Sequence, residues 1–303
     1  MSIESAYIWM DGEFVPFNEA KIHVLSHSLH YGLGVFEGIR SYEQVGGGGG
    51  VFKLDEHLRR LMDSAKMCRM DIDYSIEELR SACIETLAKN EFSSAYIRPL
   101  VYLGMGGMGL GARNNPVHTS IIVWKWGAYL GDDGINNGIR VATSSFTRHH
   151  VNANLQRAKI TGHYVNSILA RYEANDNGYD EAIMLDHSGY VAEGTGENLF
   201  IMRDGVVKTP PVVNILGGIT RKTAIQILEH EGLKVHETTF GRDALYVADE
   251  IFMTGTAAEI TPIREVDRRP VGPPGPITQK VQQTYLDGVR GKIDWMKPFI
   301  TSY

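Results

Sequence analysis

Between Leu54 and Met70 the apolar residues Leu54, Leu58, Leu61, Met62, Ala65 and Cys68 keep the spacing of one helix face, which predicts a helix with a buried stripe. Ser75 and Glu78 have capping-box spacing, and Leu79, Ala82, Cys83 and Leu87 continue a second stripe behind them. Around these helices the pattern changes to short apolar runs. Ala6 to Trp9 and Glu13 to Phe17 flank Asp11-Gly12, a strong hairpin signal. Gly34 to Tyr42 reads as a strand and Val51 to Lys53 as its return. The five glycines between them, Gly46 to Gly50, read as a mobile hairpin tip. Ala95 to Leu103 and Ser120 to Trp126 add two β-rich runs, so the first half predicts helices packed on an antiparallel sheet.

Gly127 to Gly138 is polar and glycine-rich and reads as a linker. Beyond it, Ile139 to Ser144 is a strand, and a helix near Thr161 to Asn175 puts Val165, Ile168, Leu169 and Tyr172 on one face. Two hairpins turn at His187-Ser188-Gly189 and Asp204-Gly205. A helix from Arg221 to Glu231 follows, with Thr220 as its expected N-cap, and then strands at Lys234 to Thr238 and Glu250 to Met253. Gly and Pro exclude regular structure over Arg269 to Ile277, and a helix from Thr278 to Val289 follows. Short, closely spaced strands with few helices suggest a closed or nearly closed barrel. The expected fold class is therefore α+β with two domains. A small N-terminal α/β sandwich-like domain covers residues 1–127, a linker 128–138, and a large C-terminal pseudo-barrel domain with helices 139–303.

The length of 303 residues suits two cores better than one. A net charge of -6 and a pI near 6.0 give no reason to expect nucleic acid or an anionic membrane as partner. The two cysteines, Cys68 and Cys83, fall at apolar helix positions and read as buried thiols. The first residues lack a basic segment followed by an apolar run, and nothing approaches about eighteen consecutive apolar residues, so a soluble cytoplasmic protein is expected. Two motifs read as decoys. Gly104 to Gly109 matches GxGxxG after a strand but runs on through Asn114-Asn115-Pro116 into another strand, without the helix a dinucleotide site needs. His23, His27 and His30 have helical spacing but no accompanying carboxylate or thiol, so no metal is expected.

Lys159 carries the candidate chemistry. A lone lysine is ordinarily a solvated charge, but this one precedes a helix, with Tyr164 in the first turn. Burial lowers a lysine pKa and frees the amine for imine formation. Glu193 lies among small residues in Glu193-Gly194-Thr195-Gly196, where a ring can approach; it reads equally as a strand-end surface acid. Gly217-Gly218-Ile219-Thr220 leads into a helix whose first amides can bind phosphate, and Gly255-Thr256-Ala257 can add donors. Arg60 can add a charge-assisted contact or sit on a solvated helix face. An amine, an acid for a ring nitrogen and two phosphate cradles are the protein side of pyridoxal phosphate (PLP) chemistry.

The motifs Ser26-His27-Ser28-Leu29-His30-Tyr31-Gly32, Val35-Phe36-Glu37-Gly38-Ile39-Arg40, Ser94-Ala95-Tyr96-Ile97-Arg98-Pro99, Trp126-Gly127-Ala128-Tyr129-Leu130-Gly131, Glu193 to Phe200 and Gly255 to Pro262 resemble those of the branched-chain amino acid aminotransferases, PLP enzymes of fold type IV. The resemblance runs from Tyr7-Ile8-Trp9 to about Val289. It implies Lys159 as the Schiff-base lysine and proton shuttle, Tyr164 on the PLP phenolic oxygen, and Glu193 as pyridinium partner. Gly196, Asn198 and Leu216 would surround the cofactor. Arg60, Ile219, Thr220 and Thr256 would hold the phosphate, and Thr256 and Ala257 the substrate α-carboxylate. The side-chain pocket would comprise Tyr31, Phe36, Gly38, Arg40, Tyr96, Arg98, Met108, Leu110 and Tyr129, some supplied by the second subunit of a homodimer or of a higher oligomer built from dimers. The implied reaction is reversible ping-pong transamination of leucine, isoleucine and valine with 2-oxoglutarate, so the partners are small amino acids and 2-oxo acids. D-amino-acid and (R)-amine aminotransferases and aminodeoxychorismate lyase share the scaffold and stay as alternatives, although Tyr96-Ile97-Arg98 with Gly107-Met108-Gly109-Leu110 favours the branched-chain pattern. A Schiff-base lysine without PLP and a non-catalytic dimeric scaffold also stay open.

Overall fold

The structure, a computed structural model, describes residues 5–127 and 129–303. Met1 to Glu4, the Asp132 side chain, and Ala128 of the Trp126 to Gly131 motif lie outside the described residues. Two compact units emerge, one of Met1–Trp126, Ala158–His163 and Gly288–Tyr303, the other of Gly127–Arg157 and Tyr164–Asp287. The first break falls within one residue of the expected boundary at 127, whereas the expected linker 128–138 belongs to the second unit. Two segments assigned to the C-terminal domain, one of them carrying Lys159, pack with the N-terminal unit instead.

The first unit has strands β1 (Tyr7–Met10), β2 (Glu13–Pro16), β3 (Gly34–Phe36), β4 (Ile39–Glu43), β5 (Gly49–Phe52), β6 (Ala95–Leu103) and β7 (Val117–Trp124), with helices α1 (His27–Tyr31), α2 (Leu54–Met67) and α3 (Ile76–Lys89). All its described pairings are antiparallel, in the order C-terminal strand Ile300–Ser302, β5, β4, β6, β7, β1, β2, with β3 on β6. Leu58, Leu61, Ala65, Leu79, Cys83 and Leu87 pack against Ile97, Val101, Ile121 and Val123, as the two stripes anticipate. The Ser75–Glu78 capping box is formed. The single strand expected from Gly34 to Tyr42 is two. Its register on β6 runs through, Phe36 opposite Leu100 and Ile39 opposite Ile97, and the interruption faces Pro99, which has no N–H to donate.

The pentaglycine is only partly a turn. Gly46 to Gly48 are exposed, but Gly49 and Gly50 lie buried in β5 beneath the C-terminal strand. Gly49 exchanges both backbone hydrogen bonds with Tyr303, and a Cβ on Gly49 would meet the Tyr303 ring at 2.2 Å. Missing side chains thus make room for the chain's last residues. Gly49→Ala should cost about 1–3 kcal/mol, as overpacking does, while Gly46→Ala, with open space around it, should stay within about 0.5 kcal/mol. Equilibrium urea unfolding of both variants checks the difference; equal effects would refute the packing role.

The second unit has β8 (Ile139–Thr143), β9 (Glu181–Leu185), β10 (Val191–Gly194), β11 (Asn198–Arg203), β12 (Val206–Thr209), β13 (Val235–Glu237), β14 (Glu250–Gly255) and β15 (Glu259–Val266), with helices α4 (Gly131–Asn137), α5 (Tyr164–Asp176), α6 (Ile219–His230), α7 (Asp243–Tyr246) and α8 (Pro276–Val289). Sheet order is β10, β9, β8, β15, β14, β11, β12, β13, an open path rather than a fully paired barrel. A short strand, Arg269–Pro270, pairs with β15 where no regular structure is expected. The expected linker is largely helix α4, held where Gln282 Nε2 donates to Ile135 O (2.9 Å).

Helix α5 keeps Val165, Ile168, Leu169 and Tyr172 on one face, as expected, but that face is exposed, and Ser167, Ala170 and Ala174 are buried. Small side chains let the helix sit close to β9, where Ala174 packs with Ala182 and Met184. Among the described residues no helix is long and apolar enough to cross a membrane.

Candidate active site

In the first unit Lys159 extends the sheet edge. Phe36 N–H donates to Lys159 O (3.0 Å), Val35 bridges to Ile160, and Lys159 N–H donates to Ser64 Oγ (3.1 Å). The Lys159 ammonium lies 4.9 Å from the centroid of the Phe36 ring, and the Arg98 guanidinium lies 4.6 Å from the same ring. Arg98 also borders Tyr96 and Trp124, donates to the Tyr96 hydroxyl (3.3 Å), and keeps a buried Nε with no hydrogen-bond partner among the described residues. Gly38 faces the Tyr96 hydroxyl, which a Cβ there would meet at 2.0 Å. Arg40 donates to Trp126 O (2.9 Å). Phe36, Gly38, Tyr96 and Arg98 therefore form an aromatic wall around a guanidinium, near the lysine.

Arg60 is more than a phosphate candidate. Its Nε and Nη2 grip Glu37 at 2.6 and 2.8 Å, and His57 Nδ1 meets the same carboxylate at 2.7 Å. Burial alone would raise the Glu37 carboxyl, but the Arg60 guanidinium and His57 outweigh it and hold the group well below the ordinary carboxylate range. His57 is pushed down by burial, against the pull of Glu37, with the Arg60 and Lys159 charges adding to the push. Sequence reasoning quoted Glu37 within a motif but gave it no role, and missed His57. The available signal was His57 on the buried face between Leu54 and Leu61.

Tyr31, Met108 and Leu110 lie on a different patch of the same unit. His27 ties α1 to the 104–116 loop, N–H to Gly104 O (3.0 Å) and Nε2 to Gly109 O (2.9 Å). On that patch Leu110 is 91% exposed.

The second unit gathers the other candidates at one end of its sheet. Glu193 is buried at the end of β10, with Oε1 2.8 Å from Arg148 Nη2. Its Oε2 accepts from Asn198 Nδ2 (3.1 Å) and Leu216 N–H (3.3 Å), and Asn198 Nδ2 also donates to Leu216 O (2.9 Å). Asn198 pairs across the sheet with Thr254, next to the Gly255 to Ala258 turn that carries Thr256 and Ala257. Gly196 N–H donates to Glu197 Oε2 (3.0 Å). Tyr164 opens α5 half-buried, and Tyr129 is exposed with Arg171 5.8 Å from its ring centroid.

Gly218, not Thr220, caps α6, and buried Thr220 is the second residue of the helix. A Cβ at Gly218 would meet Asn198 Oδ1 at 2.0 Å, so a larger residue there would have to displace the Asn198 side chain. Lys222 N–H makes a helical bond back to Gly218 O, leaving the preceding first-turn amides without intrahelical partners and with the positive end of the helix dipole. The donor set thus fits a phosphorylated cofactor, amides for the phosphate and a buried carboxyl group for a protonated ring nitrogen. Arg148, which sequence reasoning missed, has no signal in its polar neighbourhood Thr147 to His150.

Residues 34–266 match the family model described as amino-transferase class IV. A Pseudomonas aeruginosa branched-chain-amino-acid aminotransferase is 51% identical over 296 residues, covering 97% of this chain and 96% of that protein. The T.th. branched-chain amino acid aminotransferase with pyridoxamine 5'-phosphate is 46% identical, with a TM-score of 0.96 and 99% of each chain covered. The same protein complexed with N-(5'-phosphopyridoxyl)-L-glutamate gives 45% identity and a TM-score of 0.95, again over 99% of each chain. The expected α+β fold of two units agrees with these matches. With the family model spanning most of its length and relatives this similar over nearly all of it, the chain belongs to the class IV aminotransferase family.

Proposed function

We propose that the chain transaminates leucine, isoleucine and valine with 2-oxoglutarate, using PLP in a ping-pong cycle. The observation that carries this reading is the Phe36 ring, bordered by both the Lys159 amine and the Arg98 guanidinium. A branched aliphatic side chain needs an apolar wall, which Phe36 and Tyr96 offer. A glutamate side chain needs a cation in the same place, because an unpaired carboxylate there costs several kcal/mol. Arg98, with its spare buried Nε, meets that need. The names of the relatives support the branched-chain assignment, and the phosphopyridoxyl-glutamate complex of the T.th. protein supports both PLP and glutamate.

Bound PLP supplies an electron sink for negative charge at the substrate Cα. Lys159 would hold the cofactor through its amine and would move the proton at the substrate Cα. Glu193 would keep the ring nitrogen protonated, and Tyr164 would hydrogen-bond the phenolic oxygen. Ile219 and Thr220 in the first turn of α6, Thr256 and Arg60 would bind the phosphate, and the Thr256–Ala257 turn would orient the substrate carboxylate. The protein works as a cytoplasmic homodimer, in which Tyr31, Met108 and Leu110 of one copy complete the pocket of the other. Their exposure, the exposed apolar face of α5 and two unpaired cysteines support this.

Arg98→Leu tests the dual-specificity reading. The half-reaction with L-glutamate should slow about 30-fold or more, the effect of removing one partner of a desolvated charge pair, while that with L-leucine changes little. Stopped-flow spectra of each half-reaction give both rates, and equal losses would overturn the role given to Arg98.

A further inference from the structure

We infer that Arg148 is a positioning residue that works through Glu193, biasing the proton shared between that carboxylate and the cofactor ring nitrogen toward the ring. This rests on the role proposed for Glu193. Arg148 is almost fully buried, and its Nη2 lies 2.8 Å from Glu193 Oε1. Its fork is further supported by Ser167 Oγ (3.3 Å from Nη1) and Gln156 Oε1 (3.4 Å from Nη2), its buried Nε has no hydrogen-bond partner among the described residues, and its backbone N–H donates to Leu185 O (2.8 Å). The guanidinium therefore cannot swing away from the carboxylate without breaking its own supports. Its adjacent titratable neighbour, His149, is pushed down by burial and then by the Arg148 charge, so at neutral pH it adds no second cation.

The direction of the effect follows from charge. A proton on the Glu193 carboxyl would sit directly against a guanidinium. A proton on a ring nitrogen beyond Glu193 sits farther from it, and leaves the carboxylate ionised to face Arg148. Asn198 Nδ2 and the Leu216 amide, both donors to Oε2, favour the same ionised form. Without Arg148 the neutral arrangement, acid beside unprotonated ring, gains ground, because a buried site disfavours separated charge. The proton lost from the ring goes to Glu193, so nothing is oxidised or released.

The test uses the holoenzyme loaded with PLP labelled with 15N in its ring. Arg148→Met should move the ring 15N resonance toward the unprotonated range and slow the L-leucine half-reaction about 10- to 100-fold, the span of a one- to two-unit change at a carboxylate that loses its cation. Arg148→Lys, which keeps a charge on a smaller side chain, should hold the resonance near the wild-type position and also serves if the methionine variant folds poorly. On a Glu193→Gln background, Arg148→Met should slow the half-reaction no further. A wild-type resonance in Arg148→Met, with Glu193→Gln displaced, overturns the inference and leaves the role of Glu193 standing. Equal slowing by Arg148→Met on both backgrounds overturns it too, marking a purely structural residue. A wild-type resonance in both single variants removes the role of Glu193 and the inference with it.

Discussion

Lys159→Ala should abolish transamination while leaving the fold intact. The backbone of residue 159 makes the structural contacts, Lys159 O accepting from Phe36 N–H and Lys159 N–H donating to Ser64 Oγ, and alanine preserves both. What the substitution removes is the amine beside the Phe36 ring. A positioned acid–base group contributes about 10²- to 10⁴-fold, and loss of the covalent route adds to that, so turnover of L-leucine with 2-oxoglutarate should fall by at least about 10³-fold. Thermal unfolding should stay close to wild type. Borohydride reduction should no longer attach the cofactor to the chain, and a small amine added to the buffer should restore part of the rate. Attachment at another lysine, or turnover within tenfold of wild type, would sink the assignment.

Glu37→Ala is expected to cost about 3–5 kcal/mol at pH 7, as breaking a buried ion pair from one side does. That is a large share of the about 5–15 kcal/mol that holds a typical domain together. Glu37 is fully buried, and both Arg60 and His57 would lose their acceptor. The pH dependence has a definite sign. The folded carboxyl is held below its unfolded value, so its contribution is complete above an unfolded pKa of about 4.3 and is lost as pH falls below that toward the folded value. The stability gap between wild type and Glu37→Ala, measured by urea unfolding, should therefore be widest near neutrality and narrow in acid. A gap that does not change with pH would show that the carboxylate charge is not what stabilises the cluster.

The local code was legible where one short segment decides its own conformation. Asp11-Gly12 makes the first hairpin turn and Ser75 with Glu78 the capping box, because turn and cap geometry involve only near neighbours. The α2 and α3 stripes bury as their spacing requires. In α5 the same periodicity gathered the large apolar residues on one face without saying which face is buried: a helix has two faces, and Ala170, Ala174 and Ser167 could approach a sheet that the larger residues could not. At α6 the cap moved from Thr220 to Gly218, because the Asn198 side chain leaves no space for a Cβ there.

The candidate site divides along the same line. The sequence by itself determined the family resemblance, the lysine, the acid and the glycine-led helix start, because each is a residue type in a short motif whose chemistry travels with it. Only the tertiary structure decided what surrounds them. It placed Lys159 with the N-terminal unit, buried Glu37 between His57 and Arg60, and set Arg148 against Glu193. It also turned two glycines of a seemingly idle run into the bed for the C-terminal strand, Gly49 against Tyr303 and Gly50 against Ile300. Each of these contacts joins residues far apart in the chain. A buried charge is stabilised by whichever partner folding brings to it, and nothing in a local stretch of sequence records which that is.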